Sequence, residues 1–145
     1  MQKFEKSFVV KAPISDVFDV FSDHEQFGAL FGAKSRLFKS GTDALNGVGS
    51  ARRFGFWPVG FDESVVAYKE NELIDYSVSR GSPLKNHLGQ VRFREVEEGT
   101  QVDYTVQFES KIPLMGGVLE FGFKKAWAMN STKVFARIEG NSQIQ

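Results

Sequence analysis

Gly99-Thr100-Gln101-Val102-Asp103-Tyr104-Thr105-Val106-Gln107-Phe108 decides the fold, together with the helix-compatible stretch from about Pro113 to Glu139 that follows it. Val102, Tyr104, Val106 and Phe108 fall on one face of the extended segment, and Gln101, Asp103, Thr105 and Gln107 on the other. That is the pattern of a strand in a sheet wetted on one side only. A helix of about 26 residues would be roughly 40 Å long, at about 1.5 Å per residue. It must bury its apolar stripe, and the inner face of a sheet is the obvious partner. Sheet and helix then enclose space.

Upstream, the chain from Val48 reads as a meander whose registers test one another. A turn at Pro58-Val59 places Phe56 opposite Phe61 and Phe54 opposite Glu63. A turn over Lys69 to Glu72 places Val65 opposite Tyr76 and Ala67 opposite Ile74. A turn at Glu97-Glu98 places Phe93 opposite Val102, Val91 opposite Tyr104 and His87 opposite Phe108. The same register sets Arg92 opposite Asp103 on the outer face, a favourable cross-strand charge pair. All three hairpins put their apolar set on one continuous face, which a one-residue slip in any of them would undo.

The first strand covers about Lys3 to Lys11, with Phe4, Phe8 and Val10 on one face. Ala12-Pro13 ends it, and Val17, Val20 and Phe21 recur at helical spacing. Asp23 with Gln26 three residues on has the form of a capping box, so a second short helix carries Phe27, Leu30 and Phe31. A strand near Ser35 to Ser40 and a turn-rich stretch through Asn46-Gly47 follow. On the long helix Leu119, Phe123, Trp127, Asn130, Val134 and Ile138 share a stripe about 100° wide. Gly116, Gly117 and Gly122 weaken its first turns by roughly 1 kcal/mol each relative to alanine. They mark either a mobile gate or places of close packing.

Composition narrows the function classes. At 145 residues the chain is expected to be a single domain, residues 1–145, with a real core. Eighteen basic residues balance eighteen acidic ones, which argues against a nucleic-acid or anionic-membrane surface, local patches aside. There are no cysteines, and His24 and His87 lie far apart, so no metal and no cofactor is expected. The charged N-terminus cannot serve as a signal peptide's apolar core, and no apolar run suits stable membrane insertion. A cytoplasmic protein is the default expectation. The 15 phenylalanines either fill the core or line a cavity for an apolar ligand.

The string Val10-Lys11-Ala12-Pro13-Ile14-Ser15-Asp16-Val17-Phe18-Asp19-Val20-Phe21-Ser22-Asp23 resembles the opening of the polyketide cyclase/dehydrase-like branch of the START/SRPBCC, birch-pollen-allergen-like, superfamily. Gly47-Val48-Gly49 entering a strand, Glu63-Ser64-Val65 in the next, and Gly99 to Tyr104 before a terminal helix are similar too, in the same order. The resemblance implies an α+β helix-grip fold. In it a seven-stranded antiparallel sheet wraps around a long C-terminal helix, with two short helices after the first strand. It also implies a deep cavity used for lipids, sterols or polyketides. No catalytic signature is shared across this branch, so it carries no catalytic residue to this chain.

The inward register then supplies the candidate site. An apolar body would be buried against Phe54, Val65, Val91, Phe123 and Trp127. About 300 Å² of apolar ligand surface contributes roughly 7 kcal/mol before ordering costs. Glu63, Tyr76, Tyr104 and Asn130 would orient it, with His87 at a strand end beside them. Each has a plain structural alternative. Arg52 and Glu63, diagonal across the first hairpin, can satisfy each other as an ion pair. The tyrosines can be core residues bonded to backbone. Asn130, a poor helix former, can bond a neighbouring carbonyl. His87 can be a general acid or base, or a rim histidine with no carboxylate to orient it. Three functions follow: a carrier or sensor of a small hydrophobic or amphipathic molecule, a cyclase or dehydratase in the same cavity, or an interaction module of the chaperone-activator type.

Overall fold

The alternating stretch is strand β7 (Gly99–Ser110), and its inward residues Val102, Tyr104, Val106 and Phe108 are all buried. The computed structural model describes residues 1–55 and 60–144. Among them the elements run β1 (Gln2–Val10), α1 (Ile14–Ser22), α2 (His24–Ala29), β2 (Ser35–Lys39), β3 (Ala51–Phe54), β4 (Phe61–Lys69), β5 (Leu73–Arg80), β6 (Leu84–Val96), β7 and α3 (Gly116–Ile144). The seven described strands form one antiparallel sheet in the order β1-β7-β6-β5-β4-β3-β2. The two short helices carry the chain from one edge strand to the other. The sheet grips α3, as a helix-grip fold requires.

Local chemistry places the short helices. Asp23 caps α2 by accepting from the backbone N–H groups of Glu25 and Gln26 at 2.9 and 3.1 Å. Its own N–H bonds back to Asp19, so only one half of the expected capping box forms. The sequence placed the start of α3 at Pro113, but Leu114 takes a left-handed φ of +66° and delays the helix to Gly116. It then runs past Glu139 to Ile144, about 43 Å in all.

The helix is fastened along the open edge of β1. The Lys3 N–H donates to Glu120 at 3.0 Å, and the Lys11 N–H donates to Glu139 at 3.3 Å. Nineteen helical residues and eight extended ones span nearly the same length, roughly 28 and 27 Å. The two carboxylates thereby occupy donors that would otherwise invite another strand. Glu120 is thus committed to this edge rather than to the space under the helix.

The registers hold with three corrections. In the first hairpin Arg52 faces Glu63 and Phe54 faces Phe61, two residues from the expected pairing, so the inward face survives. The turn assigned to Pro58-Val59, with Phe56, lies outside the described residues. In the second hairpin Val65 faces Tyr76 as expected, but a bulge before Ala67 sets Tyr68, not Ala67, opposite Ile74. In the third, Phe93–Val102 and Val91–Tyr104 hold, while a bulge between Lys85 and Leu88 removes His87 from its place opposite Phe108. Arg92 does lie across from Asp103, yet its guanidinium turns to Asp75 on β5, at 2.6 Å. Asp103 instead accepts from Ser7, at 2.7 Å.

Candidate functional site

Between the sheet, α2 and the first half of α3 lies a cavity of about 470 Å³. Phe27 of α2 and Phe31 just beyond it, Phe54 and Phe61 of the first hairpin, and Leu119 and Phe123 of α3 form its apolar walls. Phe54 and Phe61 stack with their rings 4.8 Å apart, and Phe31 meets Phe123 edge-on at 6.0 Å. Gly122 faces this space with nothing within 4 Å of where a Cβ would sit, and the same holds at Gly117. Close packing does not account for those two glycines, and at Gly116 a Cβ would meet only the flexible side chain of Gln2.

The floor of the cavity is polar and almost wholly buried. Arg52, 0 % exposed, donates through Nε to Glu63 at 3.0 Å and through an Nη to the Phe21 carbonyl at 3.3 Å. Its guanidinium lies over the rings of both Phe27, 3.5 Å away, and Tyr76, 4.6 Å away. Its other Nη finds no partner among the described residues. The second Glu63 oxygen is 3.8 Å from His87 Nε2. His87 Nδ1 accepts the Val78 N–H at 3.1 Å, where the β5–β6 ladder has lapsed. A neutral His87 therefore carries its proton on Nε2, towards Glu63 and the cavity. Burial lowers the His87 pKa despite the opposing pull of Glu63, and Arg52 adds to the lowering. Tyr76 and Tyr104 hydrogen-bond each other through their hydroxyls. Burial pushes both phenols upward, so both remain protonated. Gly89, across from Tyr76, makes room for its ring, which a Cβ there would overlap. Behind this floor His24 bonds Ser50 at 2.9 Å, and burial together with Arg52 lowers its pKa to about 4.

The geometry brings together six of the ten residues singled out from the sequence: Phe54, Glu63, Tyr76, His87, Tyr104 and Phe123. Four stand elsewhere. Val65 and Val91 are buried in the core cluster and do not line the cavity. Trp127 is held in an aromatic cluster by Phe4 at 5.6 Å and Tyr104 at 5.4 Å. Asn130 bonds the Ala126 carbonyl at 2.8 Å and packs on Gly32, whose φ of +71° lets the chain turn beneath it. His87 is buried rather than at the rim, and a carboxylate does stand beside it. The walls contributed by Phe27 and Phe31 were legible only as an apolar helix face. That the face closes over the first hairpin depends on where α2 docks.

A protein from Nitrosospira multiformis is similar to this chain in structure, with a TM-score of 0.63 and 22% identity over 88% of this chain and 92% of that one. The Aha1 dimer from Colwellia psychrerythraea gives a TM-score of 0.69 at 16% identity, covering 96% of this chain and 97% of its own. Ara h 8.0201 gives 0.67 at 17% identity, covering 99% of both. These likenesses speak for the fold. No curated protein matches the chain. The sequence pattern from the first strand to the terminal helix matches a family described as polyketide cyclase / dehydrase and lipid transport over residues 1–141, and the chain belongs to that family.

Proposed function

We propose that this protein binds a small hydrophobic or amphipathic molecule, such as a lipid or polyketide, as a carrier or sensor. The observation that carries the reading is the cavity of about 470 Å³ with apolar walls and a polar floor. This combination suits a ligand held by burial and oriented by a few fixed groups. Its floor suits an uncharged oxygen. A ligand hydroxyl seated at Glu63 and His87 can donate to the free carboxylate oxygen and accept from Nε2–H. The family's description points the same way. An interaction module of the chaperone-activator kind needs no such space, which weighs against it. Native mass spectrometry of the purified protein, followed by thermal-shift assays against alkyl alcohols and polyketide-like phenols, tests the reading. A co-purified apolar mass, or a melting temperature that rises with chain length, supports it. An empty protein that no member of the panel stabilises overturns it.

One observation favours turnover as the second reading: Glu63 and His87 stand together at the cavity floor. Glu63→Gln and His87→Ala would then abolish conversion of a bound poly-keto substrate without abolishing its binding. Equal conversion in both variants and in the parent would leave binding alone.

A further inference from the structure

On the outer face, at the rim of the cavity, four strands align one residue each. Arg36 of β2 lies across from Arg53 of β3, Arg53 across from Asp62 of β4, and Asp62 across from Arg80 of β5. Asp62 is clamped from both sides, by Arg53 at 2.7 and 3.0 Å and by Arg80 at 2.9 Å. The Arg53 guanidinium also lies over the Phe38 ring at 3.7 Å, which fixes its plane. Arg36 has no such compensation: it faces Arg53 directly, and Arg36 and the neighbouring Lys34 have no ion-pair partner among the described residues. Like charges opposed across a ladder destabilise a sheet. One carboxylate against three guanidiniums and an ammonium leaves three positive charges in one place.

These side chains line a groove of about 950 Å³, and Ala33, Gly55 and Gly60 wall both this groove and the apolar cavity. Apolar space and concentrated positive charge therefore share a boundary whose described residues are small. We infer that the groove binds the phosphate of an amphiphile whose apolar part occupies the cavity, so that the ligand lies tail inward and head outward. Phosphate suits the groove better than carboxylate does. It offers three oxygens and up to two charges, and guanidiniums held in a row present paired N–H donors to it. This inference rests on the cavity reading and names the head group that reading leaves open.

The test titrates the full-length protein with decanol, decyl phosphate and inorganic phosphate, all below micellar concentrations. Lys34→Gln/Arg36→Gln is the variant of choice, because Arg53 and Arg80 hold Asp62 and their loss would disturb the sheet. Decyl phosphate is expected to bind at least about tenfold more tightly than decanol at low salt, with most of that advantage lost near about 0.5 M NaCl. The double variant should lose the advantage and bind decanol as the parent does. Equal affinity for the two decyl compounds, or an advantage untouched in the variant, overturns the groove and leaves the cavity reading standing. Decyl phosphate binding without any decanol binding overturns the cavity reading and the head-and-tail arrangement together. Inorganic phosphate binding as tightly as decyl phosphate overturns the link to an apolar tail.

Discussion

The space between sheet and helix has two ends, and they are built on opposite plans. Along α3 from Trp127 onward, Trp127, Ser131, Val134 and Phe135 are buried. Phe135 meets Phe8 at 5.1 Å, and Phe21 meets Tyr104 at 5.5 Å. Before Trp127, Leu119 and Phe123 are only half-buried, a Cβ at Gly122 would meet nothing within 4 Å, and the cavity remains. One helix thus serves as a core element at one end and as a wall at the other. Phenylalanine does both jobs, plugging the closed end and lining the open one.

Truncating the helix at each end breaks the comparison most directly. Trp127→Ala should cost about 3–5 kcal/mol of unfolding free energy, the range for removing a large buried aromatic side chain. Phe123→Ala removes a side chain that already borders a void, so it should cost less than about 2 kcal/mol while weakening ligand binding. Urea unfolding of the two variants measures both. Equal losses at the two positions would mean that the open end is packed as tightly as the closed one.

This difference between the ends was only partly legible in the sequence. Period-2 alternation in β7 and agreement among the hairpin registers establish which residues face inward, since a strand has only two faces. They do not say which inward residues touch a void. Val65 and Val91 share a face with Phe54, yet they belong to the core cluster with Phe18, Phe21 and Phe93 and do not line the cavity. Phe18 and Phe21 reach that cluster from α1, whose docking no local pattern encodes. The bulges before Ala67 and at Asn86 were equally invisible, because an extra residue leaves the hydrophobic pattern on either side intact. Asn86 takes a φ of +51° there, and His87 moves from the ladder into the cavity floor. Arg36, Arg53 and Arg80 look like scattered surface charges until the register lines them up.

The border between the two ends is charged, and acid should weaken it. His24 has its pKa lowered to about 4, first by burial and then by the Arg52 charge, against about 6.5 in the unfolded chain. Above pH 6.5 neither state binds the proton, and stability is complete in this respect. As the pH falls below 6.5 the unfolded chain takes up a proton that the folded protein refuses. The loss should reach roughly 3 kcal/mol by pH 4. His87, lowered in the same direction, adds to it. Asp62 acts lower still: Arg53 first and Arg80 with it hold its pKa down to about 2, so its contribution disappears only as the pH falls through that range. Urea midpoints between pH 7.5 and 4.5 should fall more steeply for the parent than for His24→Gln. Parallel slopes would place the acid sensitivity away from this border.

The smallest effect is the sharpest test of why the open end is open. Gly122 lies on the cavity side of α3, and a Cβ there would project into unoccupied space. Gly122→Ala should therefore stabilise the protein by about 0.5–1 kcal/mol, the gain in helix propensity with no clash to offset it. Gly122→Leu keeps most of that propensity and fills part of the void, so it should also fold well while binding apolar ligands more weakly. Melting temperature and ligand affinity would then move in opposite directions across Gly, Ala and Leu. That divergence is what a helix tuned for an enclosed ligand predicts, because the residue that stabilises the empty protein removes the room it keeps. If Gly122→Leu binds ligand as the parent does, the cavity beside this residue is not where the ligand sits. If both variants melt lower than the parent, the open end tolerates no added side chain and is already as full as the closed one.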